Sequence, residues 1–446
     1  MKNIFRLLAL ALCFTAADAS AQFQLLEIAQ LGMPQTRGDY FQRMTRPYRD
    51  RTERFGGARI EALQMSLAID DENDQLTLEN WGDNRADIRG GASRVKLEYG
   101  PLSGDTFDNA TPSMKDGRYP GTRAGAYGRF GTVEVEASRL EQKDEPLPTG
   151  TKETYSETGA GAGFSFGTGG VRLGFHGNFN KREDSATDFT FNRNAVGGAL
   201  ALKTGLFELG ATADLVDRTL KTPVADVKRA GPMFGAQGLF KPFGGFKAGA
   251  RVSAARLSGD YTVAGFKVDV EGINSEFGGR IEWAMQAVPL TLAAGLDRLY
   301  MDPEYKSAAG TVSEETGNTA KTLAAAFRPF GGRLLLGAEI KDLRIDYEAF
   351  SNGSRTAKYG FDANSMTAGA EVWLLPGFAL RASYRKLEMQ EDGDPDTQAD
   401  CIAGGAGLKG KNFTFDASVR RVEKKPDNNS NGDRFMEVRA TYGYRF

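Results

Sequence analysis

The last thirteen residues, Arg434 to Phe446 (RFMEVRATYGYRF), separate by parity into two rows. Met436, Val438, Ala440, Tyr442, Tyr444 and Phe446 form an apolar row that ends in aromatics. Phe435, Glu437, Arg439, Thr441, Gly443 and Arg445 form a row that is mostly polar or small. Successive side chains of a strand point to opposite faces, so this pattern predicts a strand with one face for an apolar medium and one for water. A soluble sandwich strand can show the same alternation. The pattern recurs upstream from about Ala86, in apolar-alternating segments of roughly ten residues. Short Gly- and Pro-rich connections alternate with longer polar ones. Thr168-Gly169-Gly170, Thr204-Gly205, Pro329-Phe330-Gly331-Gly332 and Pro376-Gly377 are of the first kind; 217–229, 259–271, 301–318 and 349–362 are of the second. Counting back from Phe446 predicts about eighteen strands, within a range of about 16–20.

Carried through each strand, parity assigns two faces. One row holds Val133 and Val135, Phe207 and Leu209, Ile281 and Trp283, Leu334 and Leu336, and Phe413 and Phe415, with no charge at mid-strand. Aromatics such as Phe130, Phe207, Phe240, Trp283, Phe327 and Phe413 gather beside the short connections. The opposite row is charged or small. Its basic members include Lys247, Arg251, Arg280, Arg333, Arg381, Arg385, Arg420 and Arg439; among its acids are Glu134, Glu136, Glu282, Glu371 and Glu437. So many charges on one side require water, so a dry core is not expected there. The basic residues outnumber the acids and favour anions, unless Arg and Glu face each other across strands and cancel.

Composition narrows the class. The 446 residues carry 56 Lys+Arg and 58 Asp+Glu, a formal charge of -2, which gives no sign of a nucleic-acid binder. Beyond the N-terminus no apolar run reaches the roughly 20 residues of a spanning helix, so a membrane form has to be a closed barrel. Lys2 and Arg6, the apolar Leu7–Ala17 and the small-x-small Ala19-Ser20-Ala21 read as a secretory signal over 1–21. Its removal takes Cys13 and leaves Cys401 alone, with no disulfide and no cysteine metal cluster; no metal or other cofactor is expected. Residues 22–85 alternate poorly and read as an extension. Within it 38–57 is dense in Arg and is a candidate lumen plug, or a solvated arm. The barrel is assigned to 86–446.

The terminal strand ending on Phe446, the strict alternation of connections and the signal segment together resemble a porin-like outer-membrane β-barrel of a Gram-negative bacterium. The resemblance implies an all-β, transmembrane, antiparallel up-and-down barrel in the cell outer membrane. It implies contact with outer-membrane lipid, and recognition of Tyr442, Tyr444 and Phe446 by the barrel-assembly machinery. It implies a channel for passive diffusion of small hydrophilic solutes, weakly anion-preferring, and leaves a homotrimer open. The alternative is a structural or surface-recognition barrel with a plugged lumen. A fatty-acid channel needs an apolar path, which the inward row as read here lacks. Some barrels of this outline are lipid hydrolases. The mature chain holds one histidine, His176, on the inward row opposite Gly161, and Ser165 is too near the turn to reach it. No catalytic residue is assigned.

Overall fold

The computed structural model describes residues 94–107, 115–118, 121–130, 133–146, 153–168, 171–185, 188–223, 225–263, 266–285, 287–307, 310–391, 397–426 and 432–445. The signal segment, the 22–85 extension and Phe446 lie outside them. The alternating segments form antiparallel strands: β1 (Arg94–Phe107), β2 (Lys115–Arg118), β3 (Gly121–Phe130), β4 (Val133–Pro146), β5 (Glu153–Thr168) and β6 (Val171–Asp184). Next come β7 (Phe189–Lys203), β8 (Phe207–Lys221), β9 (Ala225–Phe240), β10 (Phe246–Val263), β11 (Phe266–Ala284), β12 (Leu290–Ser307) and β13 (Gly310–Phe327). The chain ends with β14 (Leu334–Ser351), β15 (Ser354–Leu375), β16 (Phe378–Glu391), β17 (Thr397–Lys409), β18 (Phe413–Pro426) and β19 (Gly432–Arg445).

From β3 onward each strand pairs with the next in sequence, and β1 pairs with β19 from Arg94↔Arg445 to Phe107↔Gly432. The sheet therefore closes on itself and leaves no free edge among the described strands. The short β2 lies between β1 and β4, the same two strands that flank β3. The two occupy one place in the wall, so the nineteen strands fill eighteen positions.

The outer surface is apolar in a way water does not tolerate. Val196, Leu215, Leu323 and Ile402 are all more than 60% exposed, and their neighbours along the band are also bare. Near the short turns the band is aromatic. Phe207 and Phe240 stack with ring centroids 4.7 Å apart, and Phe164 stacks on Phe166 at 5.4 Å. Tyr442 and Tyr444 of the closing strand point outward into it.

The opposite ends of the strands depart from the sequence reading. Several stretches expected as long polar loops are strand. Val263 pairs with Phe266, Ser307 with Gly310 and Ser351 with Ser354, so these hairpins have two residues between the paired ends. Asn352 (φ 49°) and Gly353 (φ 78°) take the left-handed conformations that such a two-residue hairpin turn demands. Strands β10 and β12–β14 are 18 residues long. At about 3.4 Å per residue and a tilt of about 40°, that is roughly 45 Å of height, against an apolar band of about 25 Å. The wall therefore stands well clear of the band at the end opposite the short turns.

Candidate functional site

The inner wall is the surface on which this fold can act, and its character changes with height. On β10 the inward positions run Lys247, Gly249, Arg251, Ser253, then Ala255, Leu257, Gly259 and Tyr261. On β14 they run Glu339 and Lys341, then Leu343, Ile345 and Tyr347. On β15 Glu371, Thr367 and Ser365 give way to Ala363 and Phe361. The lower inner wall is polar and the upper inner wall is apolar. The outward row changes at the same level in the opposite sense: Val252 and Ala254 are followed by Arg256, Leu296 by Arg298, and Ile340 by Asp342 and Arg344.

The inner and outer faces therefore exchange polarity along one unbroken strand. Outside, the upper wall is laced with exposed ion pairs, including Lys267–Asp260 at 2.9 Å, Arg344–Asp346 at 3.1 Å and Lys386–Glu388 at 2.6 Å. Solvent screens such exposed pairs, so singly they add little, and their collective effect is to keep that surface wet. Inside, Phe191, Leu220, Val227, Tyr261, Val270 and Tyr305 form one buried cluster. A second joins Leu343, Ile345, Phe361 and Leu387, and a third joins Val216, Met233 and Leu257. Charged inward positions, expected along the whole strand, are confined to the lower part in β10, β14 and β15. Apolar lining, which the sequence reading had found lacking, occupies the upper part.

The basic residues expected to line the pore distribute as follows. Lys247 and Arg251 lie on β10, Arg280 on β11, Arg381 and Arg385 on β16, Arg420 on β18 and Arg439 on β19. Three stand directly opposite a carboxylate residue in the register: Lys247↔Glu282, Arg381↔Glu371 and Arg420↔Glu437. Arg251 and Arg280 face glycines on their shared boundary, Gly278 and Gly249, and so are diagonal neighbours on β10 and β11. Arg385 is wholly buried and donates a hydrogen bond to Ser365 Oγ at 2.7 Å. Arg333 precedes β14, at the end of the short 3-10 turn Phe330–Gly332, and is exposed there. The register sets His176 opposite Gly163 and Gly197 rather than Gly161, because only two residues separate Thr168 from its partner Val171. Ser165 faces Gly174.

Glu314 and Arg229 are among the buried ionisable residues of the upper wall that escaped the sequence reading. Glu314 is four residues past Gly310 at the hairpin end of β13, above the level where Leu323 gives way outward to Lys321, and so outside the lipid-facing band. Burial pushes its carboxyl up to about 8, against the opposing pull of a hydrogen bond to Tyr347 and of the Arg229 charge. Burial also raises the Tyr261 hydroxyl, near the end of β10, to about 12, with Glu314 adding to the shift. Arg229, on β9, is buried, and its Nε and Nη2 find no hydrogen-bond partner among the described residues. It fell at the edge of the 217–229 stretch expected as loop. Only the cross-strand register places it.

No protein-family model matches the sequence, and no curated protein matches it. Among solved structures it is similar to a copper transporter, OprC, at 10% identity over 83% of this chain and 84% of that one, with a TM-score of 0.41. It is also similar to the alcaligin outer-membrane receptor FauA from Bordetella pertussis (10% identity, 80% and 77%, TM-score 0.39). A third is the outer-membrane-expressed OmpT of Vibrio cholerae (9% identity, 80% and 99%, TM-score 0.36).

Proposed function

We propose that this chain is an outer-membrane channel through which small solutes diffuse passively, without catalysis. The observation that carries the reading is the pairing of a closed wall with two chemically distinct surfaces: a bare apolar band outside and ionisable side chains at the same height inside. An apolar band of this kind is stable in lipid and not in water. Charges on the inner side, such as Lys247, Arg251, Arg280 and Arg381, serve a path for hydrated solutes. Three of the basic residues, Arg251, Arg280 and Arg439, have glycine, glutamine or serine as register partners rather than a carboxylate residue. That asymmetry favours a weak anion preference.

Planar-bilayer recording of the purified, folded chain tests this. Discrete conductance steps are expected, with a reversal potential in a KCl gradient displaced modestly toward that of chloride. Absence of any conductance would sink the reading. One observation favours a second reading, a barrel closed at its outer end: Leu257, Tyr261, Met301 and Leu387 of the upper inner wall are almost wholly buried. A closed barrel gives no steps in the same experiment.

A further inference from the structure

Three arginines are consecutive register partners on adjacent strands, and two of them, Arg218 and Arg229, are buried on the upper inner wall. Arg193 of β7 is the register partner of Arg218 of β8, and Arg218 is the partner of Arg229 of β9. The residues next to them on the outer face, Asn194, Asp217 and Lys228, are exposed and polar, so the row lies above the apolar band. Arg218 and Arg229 are each about nineteen-twentieths buried, at 5% relative exposure. The next strand offers Arg229 no side chain: its partner there is Gly259. On β11, a Cβ added to Gly272 would sit 2.9 Å from Arg229 Nη2. The guanidinium therefore extends past β10 and lies against Gly272, where a larger residue would collide with it.

This guanidinium is buried with Nε and Nη2 unpartnered among the described residues. An uncompensated buried cation is strongly disfavoured, unless an anion comes to it. Glu314 is near enough for its charge to be felt, but burial biases its carboxyl toward the neutral form and it hydrogen-bonds Tyr347, which weakens that compensation, and it makes no hydrogen bond to Nε or Nη2. The surroundings are apolar: Phe191, Leu220, Val227, Tyr261, Val270 and Tyr305 cluster here, with Tyr261 and Tyr305 edge to face at 5.9 Å. A planar fork of donors matches a carboxylate in two-point contact. An apolar and aromatic rim penalises a strongly hydrated ion and rewards a ligand that carries its own apolar body.

We propose that Arg229 and Arg218, with the Phe191–Tyr261–Tyr305 cluster, form a recognition site in the outer half of the lumen for a small organic carboxylate with an apolar or aromatic body. As a statement of which solute class the channel takes, this rests on the channel reading above; as a statement of binding, it stands apart from it.

The test is calorimetric titration of the full chain, folded in detergent, with three probes: benzoate, benzyl alcohol and inorganic phosphate. Benzoate should bind saturably, one per chain. Benzyl alcohol, which keeps the ring and loses the charge, and phosphate, which keeps the charge and loses the ring, should each bind about tenfold more weakly or worse. Arg229→Gln should weaken benzoate by about tenfold or more. Arg229→Lys, which keeps the charge and loses the fork, gives a second measurement should the first variant fail to show the heat-modifiable gel migration of a folded barrel. Tyr261→Ala should weaken benzoate and leave phosphate unchanged. Equal affinity for benzoate and benzyl alcohol, equal affinity for benzoate and phosphate, or an unaltered benzoate affinity in the folded Arg229 variants overturns the proposal. Conductance without benzoate binding overturns this site alone; benzoate binding without conductance overturns the channel reading alone.

Discussion

Glu314 shows how much a single position depends on its height in the wall. A carboxylate in the lower lumen faces several ionisable side chains, whereas Glu314 is buried near Tyr347, Tyr261 and Arg229. Its folded carboxyl binds a proton more tightly than the unfolded one, so protonation favours the folded state. That contribution is fully present below the ordinary glutamate range and is lost as pH rises from there through about 8. Thermal unfolding in detergent should therefore occur at lower temperature at pH 9 than at pH 6, and Glu314→Gln should flatten that dependence. A variant with the native slope would show that another group sets it. Gly231 makes a complementary point about backbone. A Cβ there would lie 1.9 Å from the Arg256 carbonyl oxygen, so Gly231→Ala has to push β9 and β10 apart and should lower the unfolding temperature by several degrees. Neither environment is legible from local sequence. Glu314 sits in a run that reads as solvated loop, and Gly231 is one of 55 glycines.

At the scale of the strand, parity was legible throughout and polarity was not. The alternation that marks Leu334, Leu336, Ala338 and Ile340 continues unbroken through Asp342, Arg344, Asp346 and Glu348. The faces stay in step; what changes is the medium each one meets. A search for apolar residues in the same row loses the strand where it leaves lipid, so its continuation reads as a polar loop. The two halves should respond differently to charge. Ile340→Arg places a cation in the apolar band and should cost about 2–4 kcal/mol, with a clear fall in the fraction of folded barrel by gel migration. Arg344→Leu, two residues further along the same face, breaks only an exposed pair with Asp346 and should leave that fraction unchanged. Equal sensitivity at the two positions would refute the placement of the boundary between them.

For the whole molecule, closure is the decisive event. The β1–β19 pairing joins residues more than three hundred positions apart and turns an open sheet into a wall without edges. Insertion should therefore be sensitive to the terminal strand: Phe446→Ala is expected to reduce the yield of barrel in the membrane far more than it reduces the conductance of the molecules that do insert. Deleting 22–57 distinguishes an open bore from a plugged one. A barrel plugged by the Arg-rich segment gains conductance, and an open one changes little.

The sequence by itself determined the lipid-facing part of the strands, their two-fold parity and the Gly- and Pro-rich turns at one end, because these follow from local side-chain alternation and turn chemistry; it did not show that the strands run on to two-residue hairpins at the other end. It also made the apolar band readable, since lipid demands an unbroken row. The tertiary structure alone decided the register, and the register carries everything specific. It set Lys247 against Glu282 and left Arg251 beside glycine. It placed His176 two residues from the expected partner. It brought Arg193, Arg218 and Arg229 into one row from three strands. The physical reason is that a side chain's neighbours in a closed sheet lie across strands. Their identity depends on where each hairpin turns and on the ring having closed, which no stretch of local pattern contains.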